Sequence, residues 1–453
     1  MVINRTIVLW IFLIGLIGVL GGLVVLYRLL WLPTPPVPVT LIEQVPFDEL
    51  PVFKDLNDKK GLQKAVSASL EYLEGRKDEE RIPWGNESIT VGTLEKTLKA
   101  FSRLLDQNLP QENFQKEIRR LFIVYRVTGD EKGKRPAGHV LVTGYFQPEL
   151  AASLKADEEF SYPIYETPQD LIRIALHDFD PSLPRKTLWG RVSGQSLIPY
   201  YTRADIDNGK KLKSADVLAW LRSPLDGLML HIQGSGILWF QDGSRKFIHY
   251  ASSNGHSYHS IGRCLIDKGL LGKDQADWPG IRAWAQGNPK EFRKAFAANP
   301  RYIFFRWEKE GPIGKLGKVL TPMRSVALDH EIYPPGLLCF LQVRIPVSRS
   351  IREDAGIFRG FVCNQDTGSA IKGPHRLDLY CGEGDEAGYI AGRLKTPGSL
   401  YLLLLRDSVR RTRPSQTMKS SCFSKNSSLS SPNHNELSWP LANRPSLVRW
   451  FAL

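Results

Sequence analysis

The sequence predicts an α+β fold that is mainly β. Three observations carry that expectation: helical periodicity in the first part of the body, short strand-like runs from Leu121 onward, and a few helical stretches before strands return. Two segments stand outside this body, an apolar run near the N-terminus and a serine-rich tail after Leu405.

Ile7 to Tyr27 is an uncharged run of 21 residues between Arg5 and Arg28, long enough to cross a bilayer as a helix. Trp10, Tyr27 and Trp31 stand where interfacial aromatics belong, and no small-x-small cleavage site follows. The run therefore reads as an uncleaved anchor. Arg5 and the terminal amine nearly balance Arg28, so charge does not orient it. Pro33-Thr34-Pro35-Pro36-Val37-Pro38 is a stiff spacer.

Leu62, Val66, Leu70 and Leu73 share one helical face, as do Leu94, Leu98, Phe101 and Leu105. Phe122 to Val127 and Val140 to Thr143 read as strands. Ile237 to Tyr250 reads as a hairpin with Asp242-Gly243 as a two-residue turn. Ser260 to Leu271 and Pro289 to Ala297 look helical, and Val319 to Val347 returns to strands broken by Pro and Gly.

At 453 residues and 42% hydrophobic content the chain holds two or three domains. Its formal charge is +13, of which Val409 to Leu453 supplies +6 through seven Lys or Arg and one acid. That tail, with ten serines and little patterned apolar surface, is expected to be disordered. Excess cations favour anionic partners, but no helix-turn-helix, zinc-finger spacing or RNP-like motif selects nucleic acid, which is not expected as a partner. Five cysteines (Cys264, Cys339, Cys363, Cys381 and Cys422) form no Cys-x-x-Cys pair. For Cys363 and Cys381 two alternatives stand, pairing in an oxidising compartment or two buried thiols. His231, His249, His256, His259, His330 and His375 show no metal-ligand spacing, so neither a metal nor another cofactor is expected.

The stretch from Gln365 to Asp385 concentrates chemistry. It sets Asp366, Asp378 and Asp385 among glycines and small residues, with Lys372, His375 and Arg376 close by. A carboxyl near a second carboxylate and shielded by apolar neighbours such as Ile371 and Leu377 keeps its proton to higher pH, as a general acid requires. Asp366 is the candidate acid; the alternative is that these aspartates simply form turns. Asp366-Thr367-Gly368 also spells an aspartic-protease turn, but no second Asp-Thr/Ser-Gly exists to share the proton.

The string Asp366-Thr367-Gly368-Ser369-Ala370-Ile371-Lys372-Gly373, with Asp378 and Gly382-Glu383-Gly384, resembles the three-aspartate domain of the membrane-bound lytic murein transglycosylase A family. Upstream, Thr143 to Leu150, Pro199 to Arg203, Gln233-Gly234-Ser235-Gly236, Asn254 to Tyr258, Arg301 to Phe305, Gly311-Pro312 and Thr321 to Ala327 fit the same family in the same order. The resemblance covers about Pro83 to Leu404.

It implies a double-psi β-barrel catalytic domain from residues 41–160 and 301–405, an inserted smaller β-barrel for substrate at 161–300, an anchor and spacer at 1–40 and a disordered basic tail at 406–453. It also implies an exotransglycosylase, a lyase that cuts between N-acetylmuramic acid and N-acetylglucosamine and closes a 1,6-anhydro ring. Asp366 would be the single acid and base, with Asp378 and Asp385 as supporting carboxylates. Beside this, Gln233, Gly234, Ser235 and Gly236 suit sugar binding, the alternative being a Gly-rich strand end; Tyr145, Tyr200, Tyr201 and Tyr258 either stack on sugar faces or are half-buried packing residues; and Arg203 and Lys372 suit the carboxylates of murein. The family often carries a lipid-modified cysteine after its signal; no cysteine precedes Cys264 here, so the apolar run takes that place. The implied location is the cell envelope, with the body facing the periplasm and wall-remodelling proteins as possible partners. The rival reading is a noncatalytic peptidoglycan-binding or envelope scaffold protein.

Overall fold

The computed structural model describes residues 40–410 apart from 56, 131–134, 185, 210, 213, 347–355 and 369. The apolar run Ile7–Tyr27, the Pro33–Pro38 spacer and the tail beyond Arg410 lie outside the described residues. Among those described, no helix is long and apolar enough to cross a membrane.

Two helices form as their periodicity predicts. After the short strand β1 (Ile42–Gln44), α1 (Lys59–Leu73) opens on Asp58, whose carboxylate accepts from the Lys60 and Gly61 N–H groups at 3.0 and 2.9 Å. Its Leu62, Val66 and Leu73 are buried, with Leu70 packed beside them. The hairpin β2 (Arg81–Trp84) and β3 (Glu87–Thr90) leads into α2 (Val91–Asp106), where Leu94, Leu98, Phe101 and Leu105 all face the core. α3 (Gln111–Leu121) then delivers the chain to β4 (Phe122–Val127), which spans the run read as a strand.

β5 (His139–Gln147) passes through Pro148 directly into β6 (Glu149–Ser153), and there the chain changes sheets. The second sheet also takes β7 (Tyr162–Tyr165), and a small three-stranded sheet follows, built from β8 (Ile172–Ala175), β9 (Thr187–Ser193) and β10 (Ser196–Pro199). β11 (Val217–Leu221), β12 (Ser235–Trp239), β13 (Arg245–Ser253) and β14 (Ile303–Glu308) complete the second sheet. Its order is β14-β13-β12-β6-β11-β7, and a bridge between Glu166 and Phe305 brings its two ends together. Its core includes Ile164, Leu238, Ile248, Phe296 and Phe305.

The Asp242-Gly243 hairpin forms, but not with the expected two-residue turn. The last strand pair is Trp239 with Arg245, and the Phe240 N–H then donates to the Ser244 carbonyl at 2.9 Å, leaving three residues in the loop. Gly243 takes the left-handed position (φ 80°), and the Asp242 carboxylate accepts from both the N–H and the hydroxyl of Ser244. The Ser260–Leu271 stretch is helical over Ile261–Asp267, and Pro289–Ala297 is helical throughout.

Beyond β14 the chain returns to the first sheet through β15 (Ser325–Ala327), β16 (Leu338–Arg344), β17 (Ile357–Asp366), β18 (Arg376–Glu383) and β19 (Lys395–Leu405). The order β19-β16-β17-β15-β18-β5 closes on itself, because Lys395–Ser399 of β19 pair with Thr143–His139 of β5. The far half of β19 pairs with β4 instead, and β1 covers that edge. Leu338, Phe340, Phe361, Leu377, Leu379 and Leu402 belong to its core, and α2 packs Phe101 against Phe361 with centroids 4.7 Å apart. Buried Arg324 ties the segment before α1 to this sheet: its guanidinium meets Asp55 at 2.6 Å and the Phe361 carbonyl at 2.9 Å.

Cys363 and Cys381 are free, as are Cys264 and Cys339, so the pairing alternative is not realised. Burial pushes the Cys363 thiol up to about 12. The ordered body also passes the Leu405 boundary. Arg406–Arg410 form a helical turn, and the Arg406 guanidinium donates to the carbonyls of Arg119, Arg120 and Phe122 at the C-terminal end of α3. The last carbonyls of a helix, here those of Arg119 and Arg120, have no partner within it, so a cation there has a specific place to bind. That contact joins distant parts of the chain, and no local pattern announces it.

Candidate active site

One row of register partners runs across four strands. Ala327 of β15 pairs with Asp366 on one side and Asp378 on the other, and Asp378 pairs in turn with Thr143 of β5. Cross-strand partners share a sheet face, so the row gathers two carboxylates around a methyl group. The Thr143 hydroxyl donates to Asp378, and the Tyr145 hydroxyl donates to the Asp366 carboxylate at 3.0 Å. The other Asp366 oxygen accepts the Lys315 backbone N–H at 3.0 Å.

Both residues keep part of their surface open while their carboxyl groups lie deep among protein atoms. Desolvation therefore dominates. It pushes Asp366 up to about 6, against the opposing hydrogen bonds from Thr367, Tyr145 and Lys315. Asp378 also rises to about 6, through burial first; the Thr143 hydroxyl and Arg376 pull it down, and the charge of Asp366 pushes it up. Burial likewise holds the Tyr145 phenol far above its ordinary value, so it stays a donor. A carboxyl poised near neutrality beside fixed donors can give up a proton and take one back.

The loop carrying Lys315 lies against the site because Gly314 has no side chain. A Cβ there would stand 2.4 Å from Leu320 and 2.6 Å from the Gln365 carbonyl oxygen. On the opposite side, buried Asp329 accepts from the Lys372 ammonium at 3.2 Å and the Gly373 N–H at 2.8 Å, which pins the segment following Asp366.

Of the residues singled out from the sequence, Asp366, Asp378 and Tyr145 come together. Asp385 stands exposed in the first turn of the helix Gly384–Arg393, away from the other two carboxylates' row. Gln233 ends an α-helix, Pro224–Gln233, and accepts the Phe146 N–H at 3.1 Å, so its motif abuts the end of β5. Gly234 caps that helix with φ 77°, Ser235 is buried, and a Cβ on Gly236 would strike Leu230 at 2.8 Å. Tyr258 is half-buried beyond β13. Lys372 remains largely exposed beside Asp329 and Glu331.

Tyr200 and Arg203 occupy packing positions. Tyr200 is buried against Tyr201 and Phe304 with its hydroxyl on Asp170 at 2.8 Å. Arg203 is 1% exposed, stacks over Phe296 and Tyr302, and donates to His231 and the Arg301 carbonyl. Its charge is spent inside the fold rather than offered to a ligand carboxylate.

Thr143, Lys315 and Asp329 escaped the sequence reading as site residues. Thr143 had a legible signal, since residues 143, 145 and 147 alternate onto one face of a strand. The Lys315 contribution is a backbone N–H and leaves no trace in residue type.

Residues 141–306 match the MltA specific insert domain and residues 324–404 the 3D domain. The chain is 33% identical over 274 residues to the membrane-bound lytic murein transglycosylase A of Escherichia coli K12, a match covering 59% of this chain and 66% of that protein. It thus spans just under two thirds of the length of that curated relative. A membrane-bound lytic murein transglycosylase from Agrobacterium tumefaciens superposes with a TM-score of 0.68 at 30% identity, covering 82% of this chain and 99% of that one. The E. coli MltA structure with bound chitohexaose shares the fold at 24% identity, with a TM-score of 0.59 over 81% of this chain and 95% of that one. On these matches, the chain belongs to the membrane-bound lytic murein transglycosylase A family.

Proposed function

We propose that this chain cleaves the β-1,4 bond between N-acetylmuramic acid and N-acetylglucosamine in peptidoglycan and leaves a 1,6-anhydromuramoyl end. Family membership supports the substrate class. The observation that carries the chemistry is the Asp366 carboxyl, raised to about 6 by burial and oriented by Tyr145 and the Lys315 N–H.

Protonated Asp366 gives its proton to the glycosidic oxygen as the C1–O bond breaks, and glucosamine leaves with a free 4-hydroxyl. The resulting carboxylate takes the proton from the muramic O6, whose electron pair bonds to C1 and closes the anhydro ring. The proton returns to Asp366 and no water is consumed. Attack within one sugar gains an effective molarity of ~10⁵ M or more in favourable models. Asp378 shares the row with Asp366, whose charge helps hold the Asp378 proton, and Asp385 is the outlying third carboxylate.

In this reading the closed six-strand sheet is the double-psi barrel, and the second sheet is the inserted substrate domain, which extends beyond the expected 161–300 because β6 (Glu149–Ser153) and β14 (Ile303–Glu308) belong to it; Ile7–Tyr27 anchors the body in the periplasm. Gln233 to Gly236, Tyr258 and Lys372 face the glycan strand. The rival is a scaffold that binds glycan without turnover, and Asp366→Asn separates the two because it keeps the shape and removes the titratable proton. A loss of muropeptide release by at least ~10² with glycan binding retained supports the enzyme. Equal binding by both forms with no release from either establishes the scaffold.

A further inference from the structure

β5 carries a third polar residue on the face that serves the two carboxylates. Thr143 reaches Asp378 and Tyr145 reaches Asp366; Gln147 follows one strand repeat beyond Tyr145, on the order of 7 Å along. Its side chain is 1% exposed, and neither its amide nitrogen nor its amide oxygen has a hydrogen-bond partner among the described residues. The Tyr380 hydroxyl, on a ring 5.4 Å from that of Tyr145, is likewise buried without a partner. Such groups are costly in a folded core, because a buried carboxamide without partners loses its hydration and regains nothing.

The amide is covered on one side by a residue without a side chain. That residue is Gly311, partly exposed itself: a Cβ on it would stand 3.3 Å from the Gln147 amide nitrogen, with Phe247 next at 3.7 Å. Any side chain at Gly311 would crowd the amide from that side. Behind the amide, the neighbouring Phe146 N–H is already taken by Gln233, so the backbone around Gln147 is fixed.

A carboxamide offers one acceptor and two donors on a single plane. The group that matches it is another amide, presenting a carbonyl and an N–H, and every sugar of the proposed substrate carries one at C2. Resting on the glycan-cleaving reading, we infer that Gln147 is the residue that recognises the acetamido group of a sugar flanking the scissile bond, so that the site distinguishes N-acetylated β-1,4 glycans from their 2-hydroxyl counterparts. A site built around a hydrogen-bonding group rejects the analogue that leaves its polar atoms unpaired.

The test uses the full chain carrying Asp366→Asn, so that binding is read without turnover, with and without Gln147→Met. The probes are the β-1,4 hexamer of N-acetylglucosamine and cellohexaose, both uncharged and differing at C2, titrated by calorimetry. The Gln147 form should favour the acetylated hexamer by ~10- to 100-fold, the scale of one or two buried polar groups left unpaired. Gln147→Met should weaken the acetylated hexamer by at least ~10-fold, leave cellohexaose unchanged and raise Tm, because it removes an unpartnered buried amide. A merely structural glutamine would lower Tm and weaken both sugars alike. Equal affinity of the Gln147 form for the two hexamers, binding of neither, or no effect of Gln147→Met on discrimination overturns the assignment. Muropeptide release by the unsubstituted chain is scored separately: its absence, with discrimination intact, removes the lyase reading and leaves Gln147 as a reader of acetamido groups.

Discussion

Asp366 and Asp378 stand on either side of Ala327, each its register partner on a different neighbouring strand. This places two desolvated carboxyls in one row, and each has a single hydroxyl donor fixed by the same strand, Tyr145 for one and Thr143 for the other. Burial outweighs the hydrogen bonds at both, so protons leave near pH 6 rather than near 4.

Activity should carry that value. With Asp366 required as an acid, kcat/KM should fall about tenfold per pH unit above a midpoint near 6. A pH profile of muropeptide release checks it, and a midpoint near 4 would detach Asp366 from the protonation step.

Asp378→Asn should move two observables in known directions. Removing the neighbouring charge makes ionised Asp366 easier to form, so the alkaline limb should shift to lower pH. Stability should change as well. A carboxyl whose folded pKa is raised binds its proton more tightly in the fold, so its stabilising contribution is full below the unfolded pKa of about 4 and is lost as pH rises through about 6. The variant should therefore gain Tm relative to the parent at pH 7 to 8, and the gain should vanish below about pH 4. Thermal melts across that window decide it.

Tyr145→Phe removes a donor that favours the charged form of Asp366. The alkaline limb should move to higher pH, opposite to the effect of Asp378→Asn, while turnover at pH 5 falls because the carboxyl loses its orientation. Identical shifts in the two variants would mean that the profile reports some other group.

Asp55→Ala leaves the guanidinium of Arg324 buried without its carboxylate, and the Phe361 N–H loses its acceptor at the same time. Breaking one side of a buried pair costs about 3–5 kcal/mol. Urea unfolding should show that loss, with pH dependence of activity unchanged in whatever fraction stays folded.

Some of this was readable from residue order. The faces of α1 and α2 follow from Leu62, Val66 and Leu73 and from Leu94, Leu98 and Phe101, because helical packing is a local, periodic property. Asp366 and Asp378 were legible through their setting of glycines and apolar neighbours. The pairing that joins them was not, since Ala327 lies far upstream in sequence and enters the row only when the sheet closes. Tyr200 and Arg203 misled because residue type cannot say whether a ring or a cation faces solvent; here Phe304, Phe296 and Tyr302 enclose them. The Asp242-Gly243 turn was placed correctly and typed wrongly, because the Phe240–Ser244 pair takes up residues on either side of it.

The most direct test of the central claim is the mass of the cleavage product. The full chain is incubated with murein sacculi in ¹⁸O-labelled water, and the released muropeptides are weighed. Internal attack by O6 should give anhydro ends about 18 Da lighter than reducing ends and free of label, since water takes no part. Reducing-end products carrying one ¹⁸O would show that water is the nucleophile, and the chain would then be a hydrolase.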